Sequence, residues 1–175
     1  MYEIRLHSRG GQGGVTAAKL LAQAAFLDGK HATATPLYGA ERRGAPVVSF
    51  IRIDESPIRI YSQIRQPDLV IVLDPTIMQT VDVLLGIKPD GEVLINSPRP
   101  VEMEGHKVYN ADLTGVALSL GLVLAGNPIL NTPLLGAVAK LGLVSRESVK
   151  QAISETFADE RNEEAALKAF EELKV

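Results

Sequence analysis

The chain of 175 residues contains no cysteine and no tryptophan. Without cysteine there are no disulfides, no thiol nucleophile and no thiolate ligands for an iron–sulfur cluster. Its three histidines, His7, His31 and His106, are scattered and show no metal-ligand spacing. An excess of positive charge is lacking as well. Eighteen Lys and Arg stand against 21 Asp and Glu, a net charge of −3, which argues against a nucleic-acid or anionic-membrane surface. A spanning apolar run is also missing. Leu113 to Ala139 carries no charge, but Asn127-Pro128 and Asn131-Thr132-Pro133 cut it into segments of about a dozen residues, the length of core helices or an interface. Met1-Tyr2-Glu3-Ile4-Arg5 runs directly into a strand pattern with no targeting segment, so a cytoplasmic location is expected. No repeat or low-complexity linker appears, and a single domain over 1–175 is expected.

What the sequence does have is a glycine cluster near its start. His7-Ser8-Arg9-Gly10-Gly11-Gln12-Gly13-Gly14-Val15-Thr16 lies between an alternating apolar segment (Ile4, Leu6) and an amphipathic one (Ala17 to Leu27). This predicts strand, tight turn and helix. Glycine permits positive φ and close approach to the backbone, and the helix N-terminus adds free N–H donors and partial positive charge, a combination that suits phosphate or carboxylate. Arg9 is a candidate mobile cation beside it. A turn of this composition also serves plain helix–sheet packing, and both uses stay open. Two nucleotide motifs are excluded. A P-loop needs Lys and Ser/Thr after its last glycine, where Val15-Thr16 stand; the dinucleotide fingerprint needs a third glycine where Thr16 stands, and an acid that His31 to Leu37 lacks.

Strand and helix patterns alternate along the rest of the chain. They predict an α/β fold, a three-layer α/β/α arrangement whose mostly parallel sheet carries an antiparallel hairpin, followed by C-terminal helices. Ala17, Leu20, Leu21, Ala24, Ala25 and Leu27 form the buried face of the first helix, which Gly29 stops. Val47 to Ile53 and Ile58 to Tyr61, flanking Asp54-Glu55-Ser56-Pro57, are expected to form the hairpin. Leu69 to Leu73 predicts a central strand buried on both faces, followed by a helix from Thr76 to Leu85 and a strand over Glu92 to Asn96. A short strand around Val108 precedes Asp112, an expected N-cap; Asn131 or Thr132 is expected to cap a helix starting near Pro133, and Ser145 one running to Phe157. The last helix, Arg161 to Leu173, presents Ala166, Leu167, Phe170 and Leu173 on one face, with Glu164 and Lys168 spaced for an ion pair.

A second constellation, Tyr38-Gly39-Ala40-Glu41-Arg42-Arg43-Gly44-Ala45-Pro46, sits between two strands. Adjacent arginines form bidentate, charge-assisted bonds to phosphate or carboxylate, although Glu41 is equally placed to neutralise Arg42 or Arg43. With these motifs the chain resembles the gamma subunit of 2-oxoacid:ferredoxin oxidoreductases, equivalent to domain III of the single-chain pyruvate enzyme. The residues that carry the resemblance are His7 to Gly13, with Ser8 where the family usually has glycine, Tyr38 to Pro46, Asn131 to Ala137, and Asp74 at a strand end.

The resemblance implies an oxidative decarboxylation of a 2-oxoacid to its acyl-coenzyme A. Thiamine diphosphate with Mg and the [4Fe-4S] clusters would be held by partner subunits, with ferredoxin as electron acceptor, and this chain would hold no cofactor of its own and be inactive alone. It further implies that the domain closes over coenzyme A. Arg9, Gly10, Gly11, Gln12, Gly13, Gly14 and Thr16, with Glu41, Arg42, Arg43 and Gly44, are then the expected binding residues, and there are no catalytic or metal-binding ones. Expected partners are the catalytic and cluster-bearing subunits, with a homodimer as the substitute contact of the isolated chain. A stand-alone phosphate- or nucleotide-binding α/β regulatory module is the alternative. An independent enzyme using His7 or His31 as base is rejected, because no partner acid accompanies either.

Overall fold

The computed structural model describes residues 1–37 and 44–175; Tyr38 to Arg43 lie outside the described residues. Six strands form one sheet in the order β2-β3-β1-β4-β5-β6: β1 (Tyr2–Arg9), β2 (His31–Leu37), β3 (Pro46–Asp54), β4 (Leu69–Val72), β5 (Glu92–Asn96) and β6 (Val108–Ala111). β1, β4, β5 and β6 are parallel, and β3 runs antiparallel to both β1 and β2. The expected antiparallel hairpin is present, but its partner strand is β2. Ile58–Tyr61 is not a strand. Its chain is held to β3, where Arg52 Nη1 donates to the Ile60 carbonyl at 3.4 Å.

Among the described residues the α-helices are α1 (Gly14–Leu27), α2 (Leu113–Ser119), α3 (Asn131–Lys140), α4 (Arg146–Thr156) and α5 (Arg161–Glu172). They pack with one face of the sheet into a single core. Ile4, Leu6, Ile51, Leu69, Ile71 and Leu94 meet the alanines and leucines of α1 and of α3 to α5 there. Of the expected α1 face, Ala17, Leu20, Leu21, Ala24 and Ala25 are buried and Leu27 is half-buried, and the chain leaves the helix at Asp28-Gly29. β4 is buried throughout, as a continuous apolar run predicts: Leu69 and Ile71 face the helices, Val70 and Val72 the other side.

The second face is covered differently. In place of the helix expected over Thr76–Leu85 there is a single 3₁₀ turn, Pro75–Gln79, followed by irregular chain. Three features oppose the helix. Thr80, Val81 and Val83 are β-branched, and Asp82 Oδ1 accepts from Leu84 N at 3.1 Å, a local turn that competes with helical bonding. Arg5 Nη2 takes the carbonyls of Val83 and Leu85, both at 2.8 Å. Irregular chain has carbonyls that it cannot satisfy itself. Buried arginines of β1 and β3 donate to them.

Two further caps behave as expected: Asp112 accepts from Gly115 N and Ser145 from Ser148 N. The α3 cap does not. The helix begins at Asn131 with Leu130 at the N-cap and no side-chain cap. On α5, Ala165, Ala166, Ala169 and the following Leu173 are buried while Leu167 is exposed, and Lys168 reaches Glu172 and Ser119 instead of Glu164. Small residues line this helix because α3 lies close: a Cβ at Gly136 would land on the Ala166 carbonyl oxygen. Between Leu118 and Leu130 a two-stranded hairpin, β7 (Val123–Leu124) and β8 (Asn127–Pro128), stands out from the body. No helix among the described residues is long and apolar enough to cross a membrane.

Candidate functional site

From β1 the chain crosses through α1 to β2 and β3 on one side, and from β4 it proceeds to β5 and β6 on the other. The carboxyl ends of the neighbouring parallel strands β1 and β4 therefore flank the switch point of the sheet, the position where open α/β sheets bind ligands. Arg9 and the glycine turn follow β1 there, and Leu73-Asp74 follow β4.

The three sequence motifs meet at this point. Gly10 N donates to Ala45 O at 2.9 Å, and Gly44 N to Gly10 O at 3.2 Å, joining the first motif to the end of the second. Leu130 N donates to Gln12 O at 3.1 Å, bringing the start of α3 and the third motif against the turn. Glycine is required here on two counts. Gly11 and Gly13 have φ of +94° and +84°, the left-handed region that other residues avoid. A Cβ at Gly14 would overlap the Ser8 side chain, so α1 starts close against the end of β1.

Gly13 is the N-cap of α1 and supplies no side-chain bond. Its carbonyl accepts from Ala17 N at 2.8 Å, whereas the Gly14, Val15 and Thr16 N–H groups have no hydrogen-bond acceptor among the described residues. Three donors and the positive end of the helix dipole are thus directed at the switch point. The α3 N-terminus lies beside it: a Cβ on Gly13 would stand 3.2 Å from the Asn131 Cβ, and Asn131 Oδ1 accepts from Thr132 N at 2.8 Å.

Asp74 ties the site together. Its Oδ2 accepts from Arg9 Nε and Gln12 Nε2, each at 3.1 Å, and its Oδ1 from Thr76 N at 3.0 Å and Thr76 Oγ1 at 2.6 Å. Burial alone would raise the Asp74 pKa. The Thr76 hydrogen bonds, the Arg9 charge and the Gln12 bond outweigh it and hold the carboxyl below its ordinary value, so Asp74 is ionised at neutral pH. Arg9 is fixed, not the mobile cation expected: Nη1 donates to Gly44 O at 3.0 Å and Nη2 to Thr76 Oγ1 at 2.8 Å. Gln12 points its Oε1 back to accept from Arg9 N at 2.7 Å.

Of the expected site residues, Arg9 to Gly14, Thr16 and Gly44 come together. Glu41, Arg42 and Arg43 lie outside the described residues. Thr76, a partner of both Arg9 and Asp74, is not among the expected residues; its one signal in the sequence is its place two residues after Asp74 in an Asp-Pro turn. His7 is a buried residue of β1 whose Nε2 accepts from Arg5 Nε at 3.2 Å, and its side chain makes no bond to this cluster. Among the described residues no group of His, Asp and Glu is placed to hold a metal.

Residues 3–172 match the model of the family described as pyruvate ferredoxin/flavodoxin oxidoreductase. The common gamma subunit of the pyruvate/ketoisovalerate oxidoreductases of Pyrococcus abyssi is 51% identical, over 100% of this chain and 98% of that protein. Pyruvate synthase subunit PorC of Methanocaldococcus jannaschii is 50% identical over 99% and 97%. The crystal structure of the pyruvate oxidoreductase subunit of Thermotoga maritima superimposes with a TM-score of 0.85 at 33% identity, covering 99% of this chain and 97% of that one. The fold also recurs in 30% of the chain of a 2-oxoglutarate:ferredoxin oxidoreductase from Magnetococcus marinus, a structure with 2-oxoglutarate, coenzyme A and succinyl-CoA bound, at 22% identity and a TM-score of 0.76. With its three motifs gathered at one switch point and its whole length matched by gamma subunits, the chain belongs to the pyruvate ferredoxin/flavodoxin oxidoreductase family.

Proposed function

We propose that this chain is the gamma subunit of a 2-oxoacid:ferredoxin oxidoreductase that converts a 2-oxoacid to its acyl-coenzyme A, and that its switch-point turn binds the phosphates of coenzyme A. The observation that carries the reading is the uncapped α1 N-terminus, with the Gly14, Val15 and Thr16 N–H groups facing the place where all three motifs converge. A phosphate needs converging donors and positive charge. The turn from Arg9 to Gly14, with Thr16, supplies the donors; Arg42 or Arg43, beside Glu41 and Gly44, supplies the charge.

Thiamine diphosphate with Mg, and the [4Fe-4S] clusters, belong in this reading to the partner subunits. A chain without cysteine has no thiolates for a cluster. What this subunit contributes is binding and orientation of the acyl acceptor, in the cytoplasm, with ferredoxin taking the electrons from the complex. Docking is ascribed to the uncharged stretch from Leu113 to Ala139, where α2 exposes Leu118 and the hairpin exposes Val123 and Leu124. The alternative of a stand-alone regulatory module has no comparable support, since the relatives matched over the full length are oxidoreductase subunits.

Kinetics of the assembled enzyme test the reading. Arg42→Ala or Arg43→Ala should raise the apparent KM for coenzyme A about ten- to hundredfold, the loss of about 1.5–3 kcal/mol for a charge-assisted contact. The KM for the 2-oxoacid should stay near wild type. Wild-type coenzyme A kinetics combined with loss of complex integrity would make the arginines structural.

A further inference from the structure

Asp74 presents a difficulty for any anion site: an ionised carboxylate stands between the strand ends where the anion is to bind. The geometry resolves it. A carboxylate has about four accepting positions, and here four are taken, by Arg9 Nε, Gln12 Nε2, Thr76 N and Thr76 Oγ1. Its charge faces Arg9 across an ion pair of 3.1 Å in a partly buried setting, so the pair is close to neutral towards the cleft.

Each donor has a second hold. Arg9 reaches Gly44 O through Nη1 at 3.0 Å and Thr76 Oγ1 through Nη2 at 2.8 Å, and Gln12 Oε1 accepts from Arg9 N at 2.7 Å. The network therefore spans three segments: the glycine turn after β1, the turn after β4, and Gly44 at the end of the Tyr38–Pro46 motif.

We propose that Asp74 is a positioning residue for the phosphate site, holding the glycine turn in fixed relation to Gly44 and to the turn after β4 through Arg9 and Gln12, so that the Gly14, Val15 and Thr16 N–H groups face one anion. The proposal rests on the coenzyme A reading above. In it the side chains of Arg9 and Gln12 are struts, while the backbone of the turn meets the ligand.

The test uses the assembled complex. Asp74→Asn keeps the shape and one acceptor for Thr76 but removes the charge opposite Arg9. Arg9→Lys keeps the charge but replaces the fork with a single ammonium that cannot hold Gly44 O and Thr76 together. Each should raise the apparent KM for coenzyme A about tenfold, since a misplaced donor set loses most of one charge-assisted contact. The kcat, the KM for the 2-oxoacid and subunit stoichiometry should stay near wild type. If Asp74→Asn fails to assemble, Arg9→Lys carries the same comparison. The proposal is overturned if both variants keep wild-type coenzyme A KM while Arg42→Ala or Arg43→Ala raises it. It is equally overturned if thermal stability falls with no change in that KM. Should the arginine variants also leave the coenzyme A KM unmoved, the underlying site assignment fails instead.

Discussion

Burial beside the Arg5 guanidinium takes the His7 imidazole from its ordinary value near 6.5 down to about 4. The residue is 4% exposed, and its neutral ring accepts from Arg5 Nε. That bond puts the proton on Nδ1, a tautomer assigned from the hydrogen bonding. A neutral histidine committed to a structural bond is no general base. It does set a pH dependence. The unfolded chain takes up a proton near pH 6.5 that the folded chain refuses until about pH 4, so stability present above 6.5 is lost as pH falls through this window. The full loss amounts to about 3 kcal/mol. His7→Gln retains an acceptor for Arg5 without the titration. Urea unfolding at pH 7 and pH 4.5 should show a smaller difference for this variant than for the wild type. Asp74 and Asp28, whose folded values are lowered, act below this window: their contribution is lost only as pH falls under the ordinary carboxylate range.

Among the elements, α1 and α4 are joined end to end by one carboxylate. Asp28, at the C-terminus of α1, accepts from Ser145 N at 2.7 Å, and from Ser145 Oγ and Ser148 Oγ, each at 2.6 Å. Ser145 Oγ in turn accepts from Ser148 N at 3.1 Å as the N-cap of α4. Ser145→Ala removes the cap and one Asp28 bond together, and the loss should be about 1–2 kcal/mol in denaturant unfolding. The contact between α3 and α5 depends on the absence of a side chain. Gly136→Ala would press on the Ala166 carbonyl, and overpacking of this kind costs about 1–3 kcal/mol. Its effect should appear as a lowered midpoint, with an unchanged dependence on denaturant concentration.

At the scale of the molecule the two faces of the sheet differ in kind. One carries helices α1 to α5 and the larger core; the other carries irregular chain held by Arg5 and Arg52. The hairpin from β7 to β8 exposes Leu124 at 67%, and Leu118 on α2 is 55% exposed. Leu118→Asp or Leu124→Asp should weaken assembly with the partner subunits while leaving the far-UV spectrum and Tm of this chain unchanged. Normal assembly of both variants would place the docking surface elsewhere. The purified chain alone, even with thiamine diphosphate added, should reduce neither ferredoxin nor a viologen, and reduction by it would overturn the division of labour between subunits.

Elements whose signals are local can be read directly from the order of amino acids. The glycine turn and its helix, the double-sided burial of Leu69–Val72, the caps at Asp112 and Ser145, and the exclusion of thiolate chemistry were all legible, because spacing, propensity and composition act within a few residues. The three motifs could be read as motifs, but not as neighbours. Tertiary structure alone decided what contacts across long sequence separations decide. β3 chose β2 over Ile58–Tyr61, the chain after Asp74 gave its carbonyls to Arg5 in place of a helix, and Asp74 fixed an Arg9 that looks free in the sequence. In each case the partner lies on another strand or turn, more than ten residues away. A buried donor or acceptor has to find that partner whatever its local propensity prefers.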